Sequence, residues 1–127
     1  MENSSSVSKI AIVIVVVGVL IAAFFGYRYV SGGDVVDVTM RVKKMTWRWD
    51  PDNVVVPANK KIRIHIFNED DFLHGFGVAA LGIDAETPPL KETVVTLPPM
   101  QPGEYPFHCS VICGEGHATQ EGKIVVQ

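Results

Sequence analysis

Hydrophobic and polar positions follow two regimes along this chain. Ile10 to Tyr27 (IAIVIVVVGVLIAAFFGY) runs eighteen residues without a charge or a proline. As a helix rising about 1.5 Å per residue it reaches ~27 Å, close to the hydrocarbon thickness of a bilayer. Phe24, Phe25, Tyr27, Arg28 and Tyr29 form an aromatic and basic flank at its end. Such a flank suits a membrane interface better than the small-residue cleavage site of a secretory leader. The segment therefore predicts an uncleaved anchor, residues 10–30, behind a polar tail, residues 1–9. Lys9 and Arg28 put one basic residue on each side, so the charge rule leaves the orientation open.

Beyond the Ser31-Gly32-Gly33 joint the period changes to two. Val36, Val38 and Met40 alternate with Asp37, Thr39 and Arg41, and Ile62, Ile64 and Ile66 alternate with Lys61, Arg63 and His65. Alternation of this kind marks half-buried strands. With Val54–Val56, Phe76–Leu81, Glu92–Leu97, Glu104–Cys109 and Gly122–Val126, about seven short strands are expected between Gly, Pro and Asp-Pro-Asp-Asn turn signals. No convincing helical period follows Val30. Residues 31–127 thus predict an all-β Greek-key sandwich or small barrel.

The length of 127 residues leaves room for one ordinary globule beside the anchor. Residues 32–127 carry nine basic and thirteen acidic side chains. That balance lacks the basic stripe of a nucleic-acid binder. It suits a basic partner or plain solubility equally well.

The chemistry concentrates near the C-terminus. Cys109-Ser-Val-Ile-Cys113-Gly-Glu-Gly-His117-Ala-Thr-Gln120 puts two thiols and an imidazole within nine residues. Gly114 and Gly116 allow the backbone to curl around a shared centre. A second imidazole, His74, lies upstream in Asp71-Phe-Leu-His74-Gly-Phe. Thiolate with imidazole selects soft or borderline ions, copper and zinc first. Read from the residues alone, the two cysteines fit a disulfide, a structural zinc site or a copper site. His65 and His108 are expected at the surface. Trp47 and Trp49 are expected on one face of a strand, as core packing, and Glu69-Asp70-Asp71 as a solvated loop that could meet a basic partner.

The set Asp71–Phe76 (D-F-L-H-G-F), Pro102–Tyr105 (P-G-E-Y), Cys109–His117 (C-S-V-I-C-G-E-G-H) and Gly122–Val126 (G-K-I-V-V) resembles subunit II of haem-copper oxidases. It is most similar to the compact one-span version of ba3-type enzymes. The resemblance implies a cupredoxin-like Greek-key β-sandwich preceded by one N-terminal transmembrane helix, and a binuclear CuA copper centre. It implies bridging thiolates from Cys109 and Cys113, terminal imidazoles from His74 and His117, and a weak carbonyl ligand from Val111. The family's methionine is replaced here by Gln120, an axial ligand of different hardness or a side chain turned to solvent. Trp47 and Trp49 stand where the family has an aromatic electron entry.

The implied partners are the membrane, subunit I, and a c-type cytochrome or small copper protein as electron donor, with the copper domain on the outer face. No nucleic-acid partner is implied. No catalytic acid, base or nucleophile pattern is visible, so oxygen chemistry is expected in subunit I. The alternatives carried by the same residues are the CuA subunit of a nitric oxide reductase and a membrane-tethered copper-binding or delivery protein.

Overall fold

The computed structural model describes the backbone of residues 4–31 and 34–127, with side chains for 9–23 and 34–127. The chain divides into two units, Met1–Gly33 and Asp34–Gln127. The first is a helix, α1 (Ser4–Ser31), which takes in six residues of the expected polar tail. Beyond Lys9 its described side chains are apolar and exposed around the whole circumference, including Ile10, Val13, Leu20 and Ile21. Among the described residues, no helix is long and apolar enough to cross a membrane. The expected anchor runs past Ala23, where its side chains lie outside the described residues.

The second unit is a sandwich of nine strands. They are β1 (Val35–Lys43), β2 (Arg48–Asp50), β3 (Asn53–Val56), β4 (Lys61–Asn68), β5 (His74–Val78), β6 (Ile83–Thr87), β7 (Glu92–Leu97), β8 (Gly103–His108) and β9 (Glu121–Val126). One sheet has the order β2-β1-β4-β7, the other β3-β9-β8-β5-β6. Two pairings are parallel, β1 with β4 and β3 with β9. The seven expected runs left out β6, and of the strand expected around Trp47 and Trp49 only β2 forms. β2 is three residues long, too short to show a period. The strand expected through Leu81 stops at Val78, because Ala79–Leu81 forms a 3₁₀ turn closed by Gly82 in the left-handed region, and β6 begins after it.

The period-two pattern of β4 becomes the core directly. Ile62, Ile64 and Ile66 are fully buried, facing Met40, Val42, Leu97 and the inner face of the other sheet. Trp49, Phe76 and Phe107 pack as an aromatic cluster, with Trp49 edge-on to both phenylalanines at centroid distances of 5.5 and 5.8 Å. On the outer face Asp37 bridges Arg63 and His65, and His65 also meets Glu92. The Arg63 and His65 hydrogen bonds hold the Asp37 carboxyl down at about 2. His65 is therefore half-buried in an ion-pair row rather than free in solvent.

The Ile64→Ala variant is expected to lower unfolding free energy by about 2–5 kcal/mol in denaturant titrations, through lost burial and the cavity left behind. Val55→Thr, on an exposed position of β3, is expected to change it by no more than about 0.5 kcal/mol.

Candidate metal centre

Three connections converge at one end of the sandwich: the β1–β2 turn, the β4–β5 loop and the β8–β9 loop. The neck of the β8–β9 loop is fixed by the Cys109 N–H donating to the Gln120 carbonyl at 2.9 Å, one rung beyond the β8–β9 ladder. The indole N–H of Trp49 donates to the same carbonyl at 3.3 Å. Inside that neck Cys109 and Cys113 are both free and buried, with Sγ atoms 3.4 Å apart.

Each thiol has an imidazole beside it. His74 Nδ1 lies 3.8 Å from Cys109 Sγ, and His117 Nδ1 lies 3.8 Å from Cys113 Sγ. The ligand atoms of His74, Cys109 and Cys113 lie within 4.8 Å of one another, a close set that leaves out His117. A single tetrahedral zinc, with bonds of about 2.0–2.3 Å, would draw all four ligand atoms into one such set. The observed spread, one imidazole at each end of a thiol pair, suits two ions better than one. The carbonyl of Val111 lies 3.1 Å from Cys109 Sγ.

Gln120 is 1% exposed. Its Oε1 accepts from Cys113 Sγ at 3.2 Å and from His74 Nδ1 at 3.0 Å. Its Nε2 is buried without a hydrogen-bond partner. The side chain therefore points into the site, which overturns the expectation of a solvent-facing alternative. Oε1 thus sits within hydrogen-bond reach of two groups, His74 Nδ1 and Cys113 Sγ, that would hold a metal.

Sequence reasoning misplaced two features. Trp47 and Trp49 do not share a strand face. Trp49 is a buried residue of β2, whereas Trp47 lies in the preceding turn with a positive φ of 49°. That strained turn lays the Trp47 ring against Gly114 and Gly116, where a Cβ on Gly116 would overlap the indole. The Trp47 N–H donates to the Cys113 carbonyl at 3.1 Å. The second correction concerns Asp70, which is fully buried rather than solvated. Its Oδ2 accepts from His74 Nε2 at 2.8 Å, and its Oδ1 accepts from the Met45 N–H at 2.7 Å. A run of three acidic residues gives no signal of which one turns inward. His108 is exposed as expected and covers Gly77.

Burial disfavours charge on both thiols, yet they diverge. For Cys109 that penalty is outweighed by hydrogen bonds from His74, the Gly75 N–H, His117 and Cys113, which bring it down to about 6. Cys113 is pushed up to about 12, by burial first and then by the thiolate next to it. The two thiols thus differ in acidity, and Cys109 is the one that ionises first. His74 is raised: its contacts with Cys109 and Asp70 outweigh burial. Thiolate absorbance of the metal-free chain should accordingly titrate in two separated steps, the first with a midpoint of about 6 and the second of about 12.

The model of the cupredoxin-like domain matches residues 11–126. A cytochrome c oxidase subunit 2 from Thermus thermophilus is 33% identical over 89 residues, covering 70% of this chain and 65% of the relative. A second subunit 2 from the same species, equally identical, is covered to 52%. The chain thus spans between half and two thirds of the length of the curated relatives it matches.

Among solved structures, the periplasmic domain of subunit II of cytochrome oxidase of Bradyrhizobium japonicum is similar with a TM-score of 0.62 at 21% identity. That alignment covers 72% of this chain and 83% of that one. A chain of a heme-copper terminal oxidase dimer aligns with a TM-score of 0.62 at 15% identity, over 98% of this chain and all of its own length. At such identities the structures speak for the fold alone. The family model, spanning the sandwich from end to end, gives the conclusion that the chain belongs to the cupredoxin-like domain family.

Proposed function

We propose that this chain is the electron-entry subunit, subunit II, of a haem-copper terminal oxidase. In this reading it takes single electrons from a c-type cytochrome or small copper protein and hands them to haem in subunit I. One observation carries the reading: two buried thiols 3.4 Å apart, each with its own imidazole 3.8 Å away. Cys109 and Cys113 would bridge two copper ions, His74 and His117 would cap one each, and the Val111 carbonyl and Gln120 Oε1 would be weak ligands. Such a centre supplies one-electron transfer with little change of geometry, since both bridging thiolates spread the charge over two metals.

What the chain itself contributes is rigidity and insulation. The ligands come from two loops whose necks are strand ladders, so they shift little when the charge changes. Trp49, bonded to the Gln120 carbonyl at the loop neck, packs edge-on against the buried Phe76 and Phe107, an apolar wall that would keep out water able to reorganise with each electron. Trp47 is the proposed entry group. It is half-buried, with one edge toward solvent and its N–H on the carbonyl of a ligand cysteine. The likeness to cytochrome c oxidase subunit 2 supports the partnership with subunit I.

The membrane anchor belongs to this reading as well. A helix with apolar side chains exposed on every side, as α1 has from Ile10 to Ile21, has no aqueous face to present. Residues 10–30 would hold the domain on the outer face of the cell membrane.

Metal analysis of the copper-loaded chain is expected to give two coppers per molecule and an EPR signal delocalised over two nuclei. One copper with a four-line spectrum would overturn the binuclear centre. The Gln120→Met variant is expected to keep two coppers and to raise the reduction potential. A thioether is a softer donor than an amide oxygen and favours the reduced state. A potential unchanged in both Gln120→Met and Gln120→Ala would remove the axial role.

A further inference from the structure

Resting on the copper reading, we propose that Asp70 is a positioning residue for the metal centre, acting through His74. An imidazole can offer either nitrogen to a metal, and the partner of the other nitrogen decides which. Here Asp70 Oδ2 takes the Nε2–H of His74 at 2.8 Å, with both side chains fully buried. That bond turns the other nitrogen, Nδ1, toward the thiol pair and Gln120 Oε1, so Nδ1 is the nitrogen the ring would offer to a metal on losing its proton.

Asp70 is itself held from three directions, once at its carboxylate and twice at its backbone. Its Oδ1 is anchored by the Met45 N–H, whose residue sits at φ 57° in the β1–β2 turn. The Asp70 N–H donates to Asn68 Oδ1 at 2.9 Å. Asn68 in turn donates to the Phe72 and Thr87 carbonyls at 2.9 and 2.8 Å. The Asp70 carbonyl accepts from the Leu90 N–H at 3.2 Å. A chain of satisfied buried groups thus runs from β4 through Asp70 to the ring.

His117 is treated differently. It is half-buried, and among the described residues its ring meets the two thiols but no carboxylate. The two ends of the centre are therefore unlike: one imidazole is locked by a carboxylate, and the other is free to meet solvent. The asymmetry gives the centre a rigid end and an adaptable end.

The test uses the full chain in detergent, copper-loaded, with the copper content of the parent measured first. Asp70→Ala is expected to weaken copper binding by about 10–100-fold, as losses of such outer partners do. Asp70→Asn, which keeps an acceptor for Nε2–H, is expected to restore most of that affinity while raising the reduction potential, since a negative charge is gone. In NMR, the exchangeable Nε2 proton of His74 is expected to move in Asp70→Asn while the His117 signals stay in place. Should Asp70→Ala not fold, Asp70→Asn alone decides. An unchanged potential and an unmoved His74 proton, in a parent holding two coppers, overturn the proposal alone. A parent holding fewer than two coppers overturns the copper reading and this proposal with it.

Discussion

The carbonyl of Gln120 fixes the rest of the site. It takes the Cys109 N–H and the Trp49 indole N–H together, so it closes the neck of the loop that carries both thiols and ties that neck to the core. A loop pinned at its base has few ways to arrange the residues between. Two short internal turns, His117 N–H to the Gly114 carbonyl and Thr119 N–H to the Gly116 carbonyl, use up most of that freedom. Gly114 adopts a φ of 123°, and Gly116 has no side chain to keep Trp47 away. The ligand geometry is thus set by main-chain bonds and a packed indole before any metal enters.

How much of this was legible in the sequence depends on the range of the interaction. The β4 alternation of Ile62, Ile64 and Ile66 predicted the buried face because strand period and burial are local properties. The C-x-x-x-C-G-x-G-H run predicted a tight loop for the same reason. The parallel pairings of β1 with β4 and β3 with β9 left no local trace, since pairing is decided between segments far apart. Trp47 and Trp49 show the limit most clearly. Two positions apart in sequence, they would share a strand face, but the turn at Lys44–Trp47 takes residues 45 and 47 to positive φ. The gain lies elsewhere: one indole reaches the Cys113 carbonyl and a backbone N–H reaches Asp70. Strain at a non-glycine turn persists where surrounding contacts over-determine it, and those contacts are not visible in a linear chain.

Asp70 was illegible for an electrostatic reason. Acidic residues in a loop are ordinarily solvated, because a buried carboxylate without partners costs several kcal/mol. Asp70 is buried because hydrogen bonds to its side chain and backbone were already arranged by Met45, Asn68, Leu90 and His74. Glu69 pairs with Arg41 and Asp71 with Lys44 at the surface. Three consecutive acids therefore meet three different environments, and only the fold distinguishes them.

The same pocket explains why a metal and this fold favour each other. Without a metal, two thiols shifted in opposite directions and a raised imidazole share a buried volume, and the Gln120 Nε2 goes unpartnered. Two thiols cannot both ionise so close together in a medium of low dielectric, since each charge raises the other's cost. In the proposed copper-loaded state, cations held by these residues would remove that conflict, taking the place of the Cys113 and His74 protons that Oε1 now accepts. The metal-free arrangement is therefore held together by protons standing where cations would stand. Ions that replace those protons bind the folded chain in preference to the unfolded one, because only the fold brings the two imidazoles to the two thiols. Binding free energy then adds to folding free energy. A strained, partly unsatisfied pocket is tolerable in a stable sandwich for that reason.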